Sequence, residues 1–196
     1  MRAFLLSPAS CRGKRTEMLL NPAARFDLAR ALRGAGAPLG EVFAFLSGLY
    51  FRGKLAYARA FAGPNSTWVI TPGRGLLSPE TNIRAEDLLA FAAIDVDLDE
   101  PRYREPLAED ARRLARRRGL GDAVLLGSIA TDKYVGVLRG PLGRRLVFPA
   151  AFVGRGDMSR GGLMLRAARA GTELEYVPLE QAARHGPRPA RLARER

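Results

Sequence analysis

The stretch LLSPASCRGKR, residues 5–15, sets the single cysteine of the chain between an apolar run and a cluster of cations. Arg12, Lys14 and Arg15 follow Cys11 closely, and nearby cations favour the thiolate, the nucleophilic form of cysteine. With Ser10 and Arg12, the loop also has the composition of an anion cradle at the end of a strand, where open α/β sheets bind ligands. It is not a P-loop, whose spacing requires glycine where Pro8 stands and serine or threonine where Arg15 stands. Cys11 as nucleophile and Lys14 as electrostatic stabiliser are the candidate catalytic pair. The plain alternative is a small residue in a basic turn.

Two later turns repeat the arrangement. TPGRGLLSP (71–79) presents Arg74, and VGRGDMSRGG (153–162) presents Arg155 and then Arg160 in the first turn of a predicted helix. A cation near a helix N-terminus opposes the dipole, so Arg160 there makes more sense beside an anion. Arg52 and Tyr134 complete a candidate anion- or nucleotide-binding set of Ser10, Arg12, Arg52, Arg74, Tyr134, Arg155 and Arg160. Tyr50, Tyr57 and Tyr134 can stack on a base or hydrogen-bond to it, although glycine turns and half-buried tyrosines also occur for packing alone. The expectation is that Lys14, Arg74 and Arg160 gather at one mouth beside the first strand.

Other chemistry is thinner. IDVDLDEP (94–101) would line Asp95, Asp97 and Asp99 along one face of a strand, suited to a divalent cation or, more simply, to a charged edge that resists pairing. His185 sits alone in a Pro-Arg-rich tail. One histidine and one cysteine cannot make a zinc site of four such ligands, so neither metal nor cofactor is expected.

The chain has 196 residues, enough for one well-buried core, and reads as a single domain over 1–182 with a basic tail over 183–196. Its 32 Lys+Arg against 20 Asp+Glu leave a net charge of +12, which attracts polyanions, nucleic acid foremost. The abundance of Arg, Ala, Gly and Pro also suits GC-rich coding. No apolar run approaches the roughly 20 residues that span a bilayer, and the opening apolar run is short for a secretory signal. A lone cysteine forms no internal disulfide. A cytoplasmic location and no membrane partner are therefore expected.

Apolar runs predict strands at 2–7, 66–72, 122–128, 144–154 and 172–179. Helices are predicted over 21–36, with Asn21 as N-cap and Pro22 first, over 105–119 and 158–171, and briefly from 131. Residues 41–64 read as a strand-like start followed by a helix from about Arg52 to Ala62. Strand, helix and strand in sequence predict an α/β domain with a mostly parallel or mixed central sheet flanked by helices. The 105–119 helix carries Arg112, Arg113, Arg116, Arg117 and Arg118 near its end, a candidate nucleic-acid-binding face.

LLSPASCRGKR resembles the opening of the YaaA family of bacterial peroxide-stress proteins, and VITPGRGLLSP, LLGSIATDKYVGVL and GRGDMSRGGLML are similar to later motifs of that family, in the same order. Shorter relatives match through SCRGK (10–14), LYFRGKLAYARAFA (49–62) and TPGRGLL (71–77). A similar domain appears in archaeal enzymes that modify deazaguanine in transfer RNA. The resemblance implies an α/β fold, association with nucleic acid, most simply DNA, and a role in limiting oxidative damage. An enzyme acting on a nucleobase or nucleotide through the Cys11/Lys14 loop is the alternative, and a partner-binding module kept soluble by its charge is the third.

Overall fold

The structure is a computed structural model that describes residues 1–190 and 192. Strand β1 (Ala3–Leu6) is apolar at every position and wholly buried, as a strand covered on both faces must be. Four helices, α1 (Lys14–Leu20), α2 (Asp27–Arg33), α3 (Leu39–Ser47) and α4 (Leu49–Phe61), with the two-residue strand β2 (Ala37–Pro38), carry the chain over to β3 (Thr67–Thr71), parallel to β1. Strand β4 (Gly75–Leu77) folds back antiparallel on β3, and β5 (Asn82–Ile83) pairs with β2 in a separate ribbon. Helices α5 (Ala85–Ala92) and α6 (Pro101–Ala115) then return the chain to β6 (Ala123–Leu126), which pairs with the other side of β1. Helix α7 (Asp132–Leu142), β7 (Leu146–Pro149), α8 (Asp157–Ala170) and β8 (Tyr176–Pro178) complete the order.

The sheet runs β4-β3-β1-β6-β7-β8, with four parallel central strands and an antiparallel strand at each edge. This is the expected α/β architecture. Right-handed crossovers put successive helices on opposite faces when the direction of winding reverses; α4 packs on α8, and α6 packs on α7. The reversal occurs at β1, where the chain goes first to β3 and later to β6. A crevice opens at the carboxyl end of such a strand.

Several elements differ from expectation. The strand-like run after residue 41 is helix α3. Its buried Val42, Phe43 and Leu46 follow helical spacing, and the break comes at Gly48, whose φ of 61° joins α3 to α4. Asn21 does not open a helix. It follows α1, and its Oδ1 accepts the Ala23 N–H in a local turn, so α2 starts later, at Asp27. Residues 94–101 form no strand. Ile94, Val96 and Leu98 pack inward, but the backbone turns at Asp97, whose side chain accepts the Asp99 N–H at 3.0 Å, and no neighbouring strand is paired. Helix α6 starts earlier than expected because Glu100 caps it and Pro101 occupies its first position. The basic tail, read as a mobile arm or a solvated end, runs along the starts of α7 and α8 as far as it is described. Arg184 pairs with Asp132 at 2.8 Å, and the Ala190 carbonyl accepts from Arg155. Residues 191 and 193–196 lie outside the described part.

The α4–α8 crossing is close because both helices lack side chains there. A Cβ on Gly53 would stand 2.5 Å from the Gly161 carbonyl oxygen, and one on Gly161 would stand 2.7 Å from that of Leu49. Gly53→Ala must push the two backbones apart. It is expected to cost about 1–3 kcal/mol, and thermal unfolding should show a midpoint lower by roughly 3–10 °C; an unchanged midpoint would contradict this packing.

Candidate functional site

The crevice at the carboxyl end of β1 holds a cleft of about 450 Å³, within the range of small-molecule sites. Its lining comes from six parts of the chain: the loop after β1 (Ser7 to Arg12), the end of α3 and start of α4 (Leu46, Ser47, Tyr50), Pro72 after β3, the α5 end and following loop (Phe91 to Val96), the passage from β6 into α7 (Ser128, Lys133, Tyr134), and the start of α8 (Asp157). Strands β6 and β7 are parallel to β1, so α7 and α8 both begin at this edge. Neither N-terminus has a side-chain cap, which leaves their N–H dipoles directed to the cleft end of the sheet.

Beneath this lining lies Lys54, fully buried on α4. Its Nζ donates to the Ser7 carbonyl at 3.0 Å, stands 2.7 Å from the Ser7 hydroxyl, and sits 3.8 Å from the centre of the Tyr50 ring. Burial drives its pKa from 10.5 down to about 7; Asp157 opposes the fall, and Arg160 and Lys133 add to it. Near neutral pH the amine therefore exists in both forms. The Tyr50 hydroxyl is buried, faces the same region and has no hydrogen-bond partner among the described residues. Burial raises its pKa to about 12, against the pull of Arg160, and raises that of Tyr134 still further. Lys54, Ser7, Tyr50 and Tyr134 form a nearly dry polar floor under an open cleft.

Three predicted binding residues, Ser10, Arg12 and Tyr134, line the cleft, as does Cys11. Lys14, Arg52, Arg74, Arg155 and Arg160 do not. Lys14 is exposed at the first position of α1, and Arg52 is exposed on α4. Arg74 pairs with Asp87 at 3.0 Å, and Arg155 is occupied by the Ala151 carbonyl, Ser159 and Ala190 in a separate hollow. Arg160 is buried behind the start of α8, where it donates to the Phe152 carbonyl and lies 3.8 Å from Asp157. The expected gathering of Lys14, Arg74 and Arg160 at one mouth does not occur. Arg160 does not line the cleft but acts on the floor beneath it, on Tyr50 and through its charge on Lys54.

Cys11 is also corrected. Its thiol is buried and points to the Ala9 carbonyl, and burial pushes its pKa up to about 12, with Arg12 offsetting only part. Arg12 is committed to Asp95 at 2.8 Å and to the Ala92 carbonyl, and Arg15 to the Phe45 carbonyl. Desolvation outweighs the positive charges, and the cysteine is a thiol at neutral pH.

The arginines at the end of α6 belong to another region. Arg112, Arg113, Arg116, Arg117 and Arg118 are exposed. The segment that follows them binds the amino end of β1, with Gly121 N–H on the Met1 carbonyl and the Met1 amino group on the Gly119 carbonyl. They therefore stand at the opposite end of the sheet from the cleft. Arg113 pairs with Glu109 and Asp110, and Arg117 lies over the Trp68 ring; Arg112, Arg116 and Arg118 have no carboxylate partner among the described residues.

Among the described residues no group of His, Cys, Asp and Glu is placed to hold a metal, and no helix is long and apolar enough to cross a membrane. No protein-family model, curated protein or solved structure matches this chain.

Lys54 makes stability depend on pH with a definite sign. Its folded pKa lies below its unfolded value, so the unfolded chain binds the extra proton between about pH 7 and pH 10.5. The penalty for burying the charge is full below pH 7 and fades as pH rises through that window. Denaturant unfolding of the wild type and of Lys54→Met from pH 6 to 9.5 should show the wild type gaining stability relative to the variant above pH 7. Parallel curves would contradict the assignment.

Proposed function

We propose that this chain is a YaaA-like α/β protein whose cleft binds a nucleobase or nucleotide, free or presented by a nucleic acid. The observation that carries the reading is a convergence. Each of the four stretches that resemble the YaaA family contributes to one cleft: Ser7, Ser10 and Arg12 from the first, Pro72 from the second, Ser128, Lys133 and Tyr134 from the third, and Asp157 from the fourth. LYFRGKLAYARAFA, which resembles the shorter relatives, adds Tyr50 to the lining and Lys54 beneath it. Parallel topology brings these loops to one edge of the sheet; what favours a ligand is that the residues they place there are polar and line one cavity.

The chemistry of the lining supports a planar, polar, anionic ligand. Phe91, Ile94 and Val96 offer apolar contact for a ring, while Tyr50 and Tyr134 stand at the polar end. The lining carries two cations, Arg12 and Lys133, balanced by Asp95 and Asp157, and the two uncapped helix starts offer backbone N–H groups that can bind a phosphate. Sequence-independent contact with nucleic acid is a second reading, supported by Arg112, Arg116 and Arg118 at the other end of the sheet. A role in protection from peroxide rests on the family resemblance.

The two basic regions are separable. Nucleoside monophosphates and nucleobases at saturating concentration should raise the melting midpoint by roughly 5–10 °C, and Arg12→Ala or Tyr50→Phe should remove most of that rise. Replacing Arg112, Arg116 and Arg118 with alanine should leave the rise intact, weaken duplex binding and reduce its salt slope by up to about 2–3. No stabilisation by any nucleotide or base would overturn the cleft reading; an unchanged salt slope would overturn the second.

A further inference from the structure

Several hydroxyls line the cleft, but their surroundings differ. Ser10 exchanges hydrogen bonds with the backbone of its own loop, and the Ser128 hydroxyl accepts from the Ala130 N–H. Ser7 alone among them stands against a base, with Oγ 2.7 Å from Lys54 Nζ. The second contact of Nζ, to the Ser7 carbonyl at 3.0 Å, fixes the amine in place. In its neutral form Lys54 can donate one hydrogen to that carbonyl while its lone pair accepts the Ser7 hydroxyl proton.

The environment suits this exchange. No carboxylate forms an ion pair with Lys54 among the described residues, so the ammonium is held only by the Ser7 oxygens and the Tyr50 ring face. Burial with cationic neighbours holds the amine near neutrality. Gly127 leaves room beside Ser7, since a Cβ there would stand 2.9 Å from the serine Cβ. The Tyr50 hydroxyl is buried beside Ser7 and Arg160, where it adds a polar group to the floor next to the serine, and the uncapped starts of α7 and α8 direct backbone N–H groups to the same end of the sheet.

We propose that Ser7 is a nucleophile and Lys54 its general base, and that the cleft hydrolyses a carboxylic ester or activated amide carried by its ligand. In the first half, the Ser7 Oγ–acyl carbon bond forms as the bond from that carbon to the leaving oxygen or nitrogen breaks; the serine proton passes to Lys54 Nζ and on to the leaving group. In the second half, water attacks the acyl-serine, Lys54 takes a proton from the water, the Oγ–carbon bond breaks, and Ser7 recovers its proton as the acid departs. The identity of the acyl carrier rests on the cleft reading above, whereas the serine–lysine chemistry does not.

The test uses p-nitrophenyl acetate and a fluorophosphonate, both read by mass spectrometry of the intact protein and its peptides. A single adduct on Ser7 is expected, with an acylation rate that rises with pH through about 7. Ser7→Ala should abolish the adduct, and Lys54→Met should slow it about 10²–10⁴-fold and flatten the pH profile; thermal unfolding of each variant shows that it is folded. Lys54→Arg, which keeps charge without a usable base, should be as slow as the methionine variant. An adduct only on Ser10, Ser128 or Cys11, no adduct at all, or a Ser7 adduct as fast in folded Lys54→Met as in the wild type would overturn the proposal. If nucleotides stabilise the protein but Ser7 is not acylated, this inference fails alone; if Ser7 is acylated but nucleotides do not bind, the cleft reading fails alone.

Discussion

Taking the end of a lysine side chain out of water costs several kcal/mol unless its nitrogen finds partners or loses its charge. Lys54 does some of each. Two oxygens of one residue, Ser7, hold the nitrogen, the Tyr50 ring covers it, and its pKa falls until the neutral amine is accessible near pH 7. The arrangement depends on where α4 lies. Gly53 precedes Lys54 and faces Gly161, so the backbone contact that brings α8 onto α4 also closes Lys54 away from solvent. Packing and site chemistry are thus joined at adjacent residues.

The topology supplies the rest. Reversal of winding at β1 leaves a crevice lined by the loops after β1, β3, β6 and β7, where the polar and glycine-rich stretches of the sequence fall, and walled by the α3–α4 junction and the end of α5. The same geometry separates the two cationic regions. Helix α6 runs back toward the amino edge of the sheet, so its terminal arginines end beside Met1 and Gly119, while Arg12 and Lys133 lie at the carboxyl edge. Net charge describes both regions together and distinguishes neither.

The sheet strands of the parallel core and helices α6 and α8 were legible because their signals are local: apolar runs such as AFLL and AVLL, acidic starts, basic ends and glycine stops. Helix α3 was misread because its aromatic and β-branched residues also suit a strand, and helical spacing is hard to tell over a run so short. The acidic stretch 94–101 alternates like a strand but has no neighbour to pair with. Of the site, the loop around Ser10, Arg12 and Cys11 was visible as a basic turn after a strand. The chemistry of Cys11 was not, since counting neighbouring cations omits the desolvation that decides its state. Lys54 carries only a faint signal. In FRGK it looks like its neighbour Arg52, which is exposed, and only contact with a helix more than a hundred residues away sets the two apart. A lysine on the apolar face of a helix, with its i−4 neighbour a tyrosine on the same face, is the pattern that could have marked it.

The account turns on the proton affinity of one nitrogen, and the composition makes it readily measured because the chain contains three lysines, Lys14, Lys54 and Lys133. Protein labelled with ¹³C and ¹⁵N in lysine, titrated from pH 5 to 10 and followed at Cε and Nζ, with Lys54→Met for assignment, gives the value directly. The Lys54 signal should titrate with a midpoint near 7. A Lys54 ammonium that stays protonated to pH 9 would contradict the buried, serine-bound amine on which the site is built.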